Sequence, residues 1–373
     1  LSITTGQLNT LVGGLAGDAL TTGTNSTFVG YLAGSATTDG NHNTGVGSNA
    51  LAVNTGGQNT SVGSEALAAN TSASFNTAVG RSAGAALTEG NRNVAIGKDS
   101  LLTDTLGSRS VAVGLGALQS QNLTTATDVY NTGVGHAAGN QITTGTNNTL
   151  VGGLAGDALT DADFNVAIGY AALTSDTLGS RSVAIGHSAL NNQNFTTATD
   201  AYNTAVGFTA GQSITTGKEN TLIGADAGDA LTTGSNNVAV GFEALSTEDA
   251  HGNNVAIGNR ALKTLNAGAA GLNVAVGDDA GLSMTTGIRN TLIGGLAGDA
   301  LTSANQNIAI GYLSLSADTQ GENNIAIGAN ALASQNFTTS TQSMNVAIGR
   351  DAGAAVTTGE SNTLIGGLAG DAL

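Results

Sequence analysis

Hydrophobic and polar residues along this chain follow one short pattern from beginning to end. The pattern reads Asn-x-x-(Val/Ile)-Gly-x-x-Ala, occurs twenty-one times and usually recurs every seventeen residues. We number the repeat from its Asn, so that the Val or Ile is position 4, the Gly is position 5 and the Ala is position 8. Position 1 is Ser at Ser26, Ser110 and Ser182, and position 8 is Ser at Ser100 and Ser314. Self-similarity at a short fixed period predicts a solenoid, in which each turn contacts only its neighbours.

Positions 2 to 4 predict a β-strand in every turn. Position 2 is Thr, Val or Ile and position 4 is Val or Ile, usually with a smaller residue between them, as in Val94-Ala95-Ile96. β-branched residues at a period of two are typical of a strand with one buried face. We therefore expect position 4 to place a Val or Ile in the core of every turn. Position 9 alternates between Gly and Leu, and a second short extended segment is expected there, which gives two strands per turn.

Glycine and proline usage fits this prediction. The Gly at position 5 and the Thr-Thr-Gly or Thr-x-Gly segments near positions 13 to 15 supply corner residues that tolerate positive φ. Pro is absent, as expected where every backbone N–H is needed in a continuous ladder. A helix is disfavoured, because Gly, Thr and Asn in every unit would cost about 0.5–1 kcal/mol per residue. The predicted fold is all-β: one continuous parallel β-solenoid domain over residues 1–373, with about 21 turns of 17 residues.

The asparagines at position 1 would form a column along the stack. Identical side-chain amides one turn apart can bond along the axis, as in other ladders of identical residues. We interpret this column as a structural ladder. Its members include Asn9, Asn43, Asn76, Asn93, Asn148, Asn165, Asn220, Asn254, Asn290, Asn324 and Asn362.

A longer period of four turns is superimposed on the short one. Successive position-5 glycines are 17, 17, 17 and 21 residues apart from Gly63 to Gly135 and again to Gly207, and one interval of 19 precedes Gly277. The extra residues must bulge from the stack, so we predict interaction loops on one side at four-turn intervals. The alternative is that each loop covers its own turn or packs on a neighbouring chain. The candidate residues in these loops are Leu123, Tyr130, Phe195, Tyr202, Phe337 and Met344.

Composition excludes several classes of protein. The 26 Asp and Glu residues against 10 Lys and Arg give a formal net charge of −16, which argues against a nucleic-acid partner. No apolar run approaches the roughly 20 residues that span a bilayer. Cys is absent, so disulfides and thiolate metal sites are excluded. The chain opens at Leu1 rather than Met, and we expect a fragment or processed part of a longer fibre.

The repeat resembles those of a known family of surface proteins. The motif Asn-Val-Ala-Ile-Gly-x-x-Ala, present at Asn165–Ala172 and Asn254–Ala261, is similar to the head-domain repeat of trimeric autotransporter adhesins. The full seventeen-residue unit is also similar to repeats of phage tail fibres and other surface fibres. The resemblance implies a left-handed parallel β-roll wound by three identical chains, and it covers essentially the whole chain.

A homotrimer is also expected from the residues themselves. A thin turn with Val or Ile on one face and Ala on another cannot enclose both, so a single chain would leave a long apolar stripe in water. Three copies around an axis would bury this stripe with closed symmetry. A monomeric three-sided β-helix is the alternative.

The sequence shows no catalytic constellation, and we expect no enzyme activity. His42, His136, His187 and His251 occupy different positions of the repeat and have no recurring acidic or Ser partner; we interpret them as surface residues. No cofactor is predicted.

Two further patterns leave alternatives open. Asp18, Asp157, Asp229, Asp299 and Asp371 recur at one position; we interpret them as a solvated acidic face, with Ca²⁺ bridging between chains as the alternative. The Thr-Thr-Gly corners offer ice binding as a minor alternative.

The function predicted from these observations is structural. We expect an extracellular or cell-surface fibre or adhesin, which associates with itself as a homotrimer and presents a repetitive surface to a cell-surface protein or glycan receptor. A self-assembling filament subunit that stacks end to end and a phage tail-fibre shaft of a virion are the alternatives. Twenty-one turns at about 4.8 Å each would make a rod roughly 100 Å long.

Overall fold

The computed structural model of the chain describes residues 3–372, which form strands and turns and contain no helix. The described residues divide into two compact units. The first comprises residues 3–182 with Asn194–Asp200, and the second comprises Val183–Gln193 with residues 201–372. The prediction of an all-β parallel β-solenoid with about 21 turns of 17 residues is confirmed.

Ten three-residue strands form the main ladder of the first unit, one strand in each turn. Each strand pairs in parallel with the strand of the next turn, in a register that keeps every repeat position in its own column; Leu150, for example, pairs with Ala167. The strands of this unit are Thr10–Val12, Thr27–Val29, Thr44–Val46, Thr60–Val62, Thr77–Val79, Val94–Ile96, Val111–Val113, Thr132–Val134, Thr149–Val151 and Val166–Ile168.

The second unit repeats the arrangement with eleven three-residue strands among its described residues. Register is again held from turn to turn, as where Leu222 pairs with Ala239. The strands of this unit are Val183–Ile185, Thr204–Val206, Thr221–Ile223, Val238–Val240, Val255–Ile257, Val274–Val276, Thr291–Ile293, Ile308–Ile310, Ile325–Ile327, Val346–Ile348 and Thr363–Ile365.

The core lies on the opposite face of the strand from the one that the sequence pattern favoured. The middle residue, at position 3, is buried in almost every turn, whereas positions 2 and 4 are half-buried or exposed. Position 3 is often Ala, and it packs with position 8 and with apolar residues at positions 9 and 12. Our expectation that the position-4 Val or Ile fills the core is therefore wrong.

Gly and Leu alternate at position 9 because the volume of the core is limited. Leu292, at position 3, is buried, and a Cβ added at Gly281 or Gly298, both at position 9, would lie 2.8 or 2.9 Å from its methyl carbons. In the turn after that of Leu292, Ala309 at position 3 accompanies Leu315 at position 9, and both are fully buried. A large residue at one position is thus matched by a small one at the other, because the thin core has room for only one of them.

The second segment of each turn is hydrogen-bonded but seldom a strand. Residues at positions 7 and 9 interrupt it with positive φ, as at Ala171 and Leu173, both at 54°. Among the described residues, additional strands occur only in the three 21-residue turns and the turns before them. They begin at position 15 of the earlier turn and at position 18 of the enlarged turn, not at position 9. They are the parallel pairs Gly107–Ser108 with Thr127–Asp128, Gly179–Ser180 with Thr199–Asp200, and Gly321–Glu322 with Thr341–Gln342. The expectation of two regular strands per turn is wrong.

Threonine at position 13 forms a column that ties neighbouring turns together. The Thr71 hydroxyl donates to the carbonyl oxygen of Thr88 at 3.1 Å, and the Thr88 hydroxyl donates to that of Thr105 at 3.1 Å. The backbone N–H of Thr71 donates to the same Thr88 oxygen at 3.0 Å. These hydroxyl donors are therefore used within the solenoid.

Candidate interaction surface

The position-1 asparagines lie in a buried column that links successive turns. The backbone N–H of Asn165 donates to the side-chain oxygen of Asn148 at 2.9 Å, and the Asn148 side-chain NH₂ donates to the carbonyl oxygen of Ala162 at 2.7 Å. The same axial bond recurs throughout the second unit, for example from Asn290 N–H to Asn273 at 2.9 Å. The main axial bond is thus between backbone and side chain, and amide-to-amide bonds are longer, at 3.1–3.4 Å.

The enlarged loops bury one of their two candidate residues and expose the other. Leu123, Phe195 and Phe337 are each only 6% exposed, and the carbonyl oxygen of each accepts a hydrogen bond from a backbone N–H of the preceding turn. Their assignment as exposed contact residues is therefore wrong. The residues at the ends of the loops are half-exposed side chains, and these are Tyr130, Tyr202 and Met344.

A buried aspartate anchors each of the 21-residue loops, and our sequence reasoning missed it. The side chain of Asp318 accepts hydrogen bonds from the N–H of Gly321 and Phe337, each at 3.0 Å, and from the Gln335 side chain at 2.6 Å. Gln335 in turn accepts from Asn345 at 2.8 Å, which connects the loop to the asparagine column. The same anchors recur at Asp104 and Asp176. Three donors satisfy the buried carboxylate, as burial requires.

The exposed end of the first enlarged loop carries an ion pair and an aromatic ring. Arg109 donates to the Asp128 carboxylate at 2.7 Å and to the Tyr130 hydroxyl, and its guanidinium carbon lies 5.5 Å from the Tyr130 ring centroid. The hydrogen bond to Tyr130, followed by the charge of Asp128, raises the pKa of Arg109. The residue remains a cation that holds the ring at the surface.

Arginines over aromatic rings recur in the same column. Arg92 lies 5.4 Å from the Phe75 ring centroid, and Arg181 lies 5.0 Å from that of Phe164. All four residues directly precede position 1 and have positive φ, so the first unit presents a column of arginines and half-exposed rings.

The outer face of the strands is an apolar column in both units. In the second unit Ile223, Ile257 and Ile293, all at position 4, are 40%, 38% and 38% exposed in the single chain. Aromatic residues at position 6 flank this column, and four of them, including Tyr170 and Tyr312, are more than half exposed. A stripe of this kind, repeated from turn to turn, is larger than the isolated apolar residues found on ordinary surfaces.

The recurring aspartates of position 10 differ in their surroundings. In the first unit Asp157 accepts a hydrogen bond from the Thr174 hydroxyl. In the second unit one carboxylate oxygen of Asp229 and one of Asp299 are buried without a partner. Desolvation raises the pKa of Asp229 above its ordinary value, and repulsion from Asp226 and Glu243 adds to the shift. Desolvation, together with repulsion from Asp279, also raises the pKa of Asp299.

Replacing Asp229 by asparagine should stabilise the protein at pH 7. Because the pKa of Asp229 is raised on folding, its charge opposes folding above that pKa and the penalty disappears as the pH falls through it. The gain should be below about 1 kcal/mol, since solvent still screens the partly exposed group. Thermal unfolding of wild type and D229N between pH 4 and pH 8 measures it, and the two should converge at low pH. D157N is the matched control and should show no gain, because the Asp157 carboxylate already accepts a hydrogen bond from the Thr174 hydroxyl. A lower melting temperature for D229N at pH 7 would contradict the prediction.

Neither a scan against protein-family models nor a comparison with curated protein sequences finds a match for this chain. Within residues 3–372, no helix is long and apolar enough to cross a membrane.

Proposed function

We propose that this chain is a non-enzymatic structural part of an extracellular fibre or adhesin and that it works as a homotrimer. The observation that supports the proposal is the exposed position-4 column, exemplified by Ile223, Ile257 and Ile293. One chain encloses its own core with the residues at positions 3, 8, 9 and 12, so the position-4 Val and Ile side chains are not needed to fill that core. Their regular spacing suits a partner built with the same repeat.

A second and third copy of the chain are the partners that this surface fits. The column recurs in every turn at the spacing of paired strands, about 4.8 Å, and only another solenoid has matching spacing along its whole length. Closed threefold symmetry lets all three stripes face one axis and be buried together. Beside the column, Gly153 lies next to the ring of Tyr170 and Gly295 next to that of Tyr312, which gives neighbouring chains ridges and hollows to interlock.

The enlarged loops supply the part of the surface that differs from turn to turn. Their anchored backbone and half-exposed Tyr130, Tyr202 and Met344 offer rigid, repeated contacts to a cell-surface protein or glycan. Repetition four turns apart would let weak contacts add through effective concentration. An extracellular location follows from the proposed role.

Native mass spectrometry and light scattering test the trimer directly. Wild-type protein at micromolar concentration should have three times the 36.2 kDa mass of the chain. The variant I223N/I257N/I293N should be monomeric yet keep the circular dichroism spectrum of the solenoid, because these side chains are outside the core. The matched control T216N/T286N/T358N changes three exposed residues outside the strand face and should remain trimeric. A monomeric wild type, or a trimer that survives the three Ile substitutions, would refute the proposal.

A further inference from the structure

One turn of the second unit departs from the internal repeat at several places at once. We call each set of four turns a super-repeat. In the three super-repeats with a 21-residue loop, the corresponding turn has Asp at position 12, Thr at position 13 and Gly at position 15, as in Asp318, Thr319 and Gly321. The corresponding residues here are Glu248, Asp249 and His251. The following turn also changes, since the position of the anchoring Gln is taken by Leu265, and the loop is two residues shorter. Compared with those turns of the same chain, two potential metal ligands, Asp249 and His251, enter together beside a carboxylate that is lengthened from Asp to Glu248.

The three side chains converge on one corner of the turn. One ligand atom from each of Glu248, Asp249 and His251 lies within 4.8 Å of the others, and no other group of this kind occurs among residues 3–372. The backbone carbonyl of Asp249 accepts hydrogen bonds from the Thr232 N–H and hydroxyl at 2.5 and 2.8 Å, so the corner is tied to the preceding turn.

Glu248 is the fixed member of the group. Its side chain is fully buried, and its two oxygens accept from the backbone N–H groups of His251 and Ala267, each at 3.0 Å. The missing Gln removes the side-chain donor that satisfies the equivalent aspartates. The remaining neighbour of its Oε1 is the Nδ1 of His251, at 3.3 Å. His251 is 31% exposed, so the site opens to solvent on one side.

The distance between these two atoms matches metal coordination. A tetrahedral ion with ligands at about 2.0–2.1 Å separates adjacent ligand atoms by roughly 3.4 Å. An imidazole nitrogen lone pair facing a buried carboxylate is repulsive unless a proton or a cation lies between the two atoms. An imidazole with carboxylates is a donor set that suits zinc, whereas calcium takes oxygen ligands alone.

We propose that Glu248, Asp249 and His251 form a zinc site. The three protein ligands leave the fourth tetrahedral position to water, so the ion is held at the surface and is exchangeable. The ion closes the shortened turn in place of the Asp–Gln anchor of the other super-repeats. This inference does not depend on the proposed role in a fibre.

Isothermal titration with zinc chloride tests the site. Wild-type protein should bind one Zn²⁺ per chain, and H251G should bind it at least about tenfold more weakly, because even outer-shell partners of a metal are worth that much. H251G is a mild change, since glycine occupies the same place at Gly107, Gly179 and Gly321. D249T, which restores the residue of those copies, should also weaken binding and provides a second variant if H251G unfolds. H136N, which removes an exposed histidine elsewhere, should bind zinc as the wild type does.

X-ray absorption of the zinc complex gives a second measurement. One imidazole and two or more oxygen ligands are expected around the ion. Equal binding by wild type and a folded H251G or D249T variant would overturn the proposal, as would loss of binding in H136N or a spectrum without an imidazole ligand.

Discussion

Replacing Gly152 by alanine should lower the free energy of unfolding by about 3 kcal/mol or more. Gly152 has a φ of +137°, and an added Cβ would lie 2.4 Å from the carbonyl oxygen of Gly169 in the next turn. The backbone N–H of Gly169 donates to the carbonyl oxygen of Val151 at 2.8 Å, so this backbone has little room to move. An L-residue is therefore both strained and in collision at this position. Urea denaturation followed by circular dichroism measures the loss.

The neighbouring glycine is a matched control. Gly153 lies outside the positive-φ region, and an added Cβ would meet the Tyr170 ring at 3.5 Å, which is an ordinary contact. G153A should therefore cost less than about 1 kcal/mol, as a surface substitution does. Similar losses in G152A and G153A would show that the backbone at position 5 is not what limits the choice of residue.

The repeat alone was sufficient to predict the fold. A fixed period of 17 residues forces every position into a column, and glycine at position 5 and the absence of proline leave a parallel ladder as the consistent solution. The same reasoning identified where extra residues must leave the stack. The solenoid fold and the positions of the loops depend only on the spacing of residues, which can be read directly from the sequence.

The face of the strand could not be read from the same pattern. In Val166–Ile168 all three residues are apolar, so a period of two exists without showing which side is inside. Size suggested that Ile168 is buried, yet the core accommodates Ala167 because Leu173 fills the space beside it. Which face of the strand is buried depends on how the side chains at positions 3, 9 and 12 together fill the core, and this is a property of the packed turn.

The aspartates that anchor the enlarged loops could have been predicted from the sequence. Asp104 and Asp176 lie 72 residues apart at position 12, where most other turns have an apolar residue, and each is followed one turn later by Gln121 or Gln193. A charged residue recurring at a mostly apolar position indicates a buried, satisfied polar group. Recognising this signal would have shown that Leu123 covers the core. The convergence of Glu248, Asp249 and His251 needed the structure, because their spacing alone does not fix the direction of the side chains.

Leu292 and Ile293 are neighbours on one strand, and their truncation to alanine should lower the free energy of unfolding by very different amounts. Leu292 is fully buried and fills the space beside Gly281 and Gly298. The two glycines that line this space have no side chain with which to fill the cavity left by L292A. The expected cost is about 2–5 kcal/mol in the free energy of unfolding.

Ile293 is 38% exposed on the outer face of the strand, so I293A should cost less than about 1 kcal/mol within one chain. Its larger effect should be on association, since the methyl groups that it removes belong to the surface assigned to the trimer. Urea unfolding, measured under conditions where both variants have the same number of subunits, gives the effect on the stability of the chain. The concentration dependence of assembly gives the effect on association. If I293A destabilises the single chain more than L292A does, position 4 is the core position and the surface proposed for the trimer is not available to a partner.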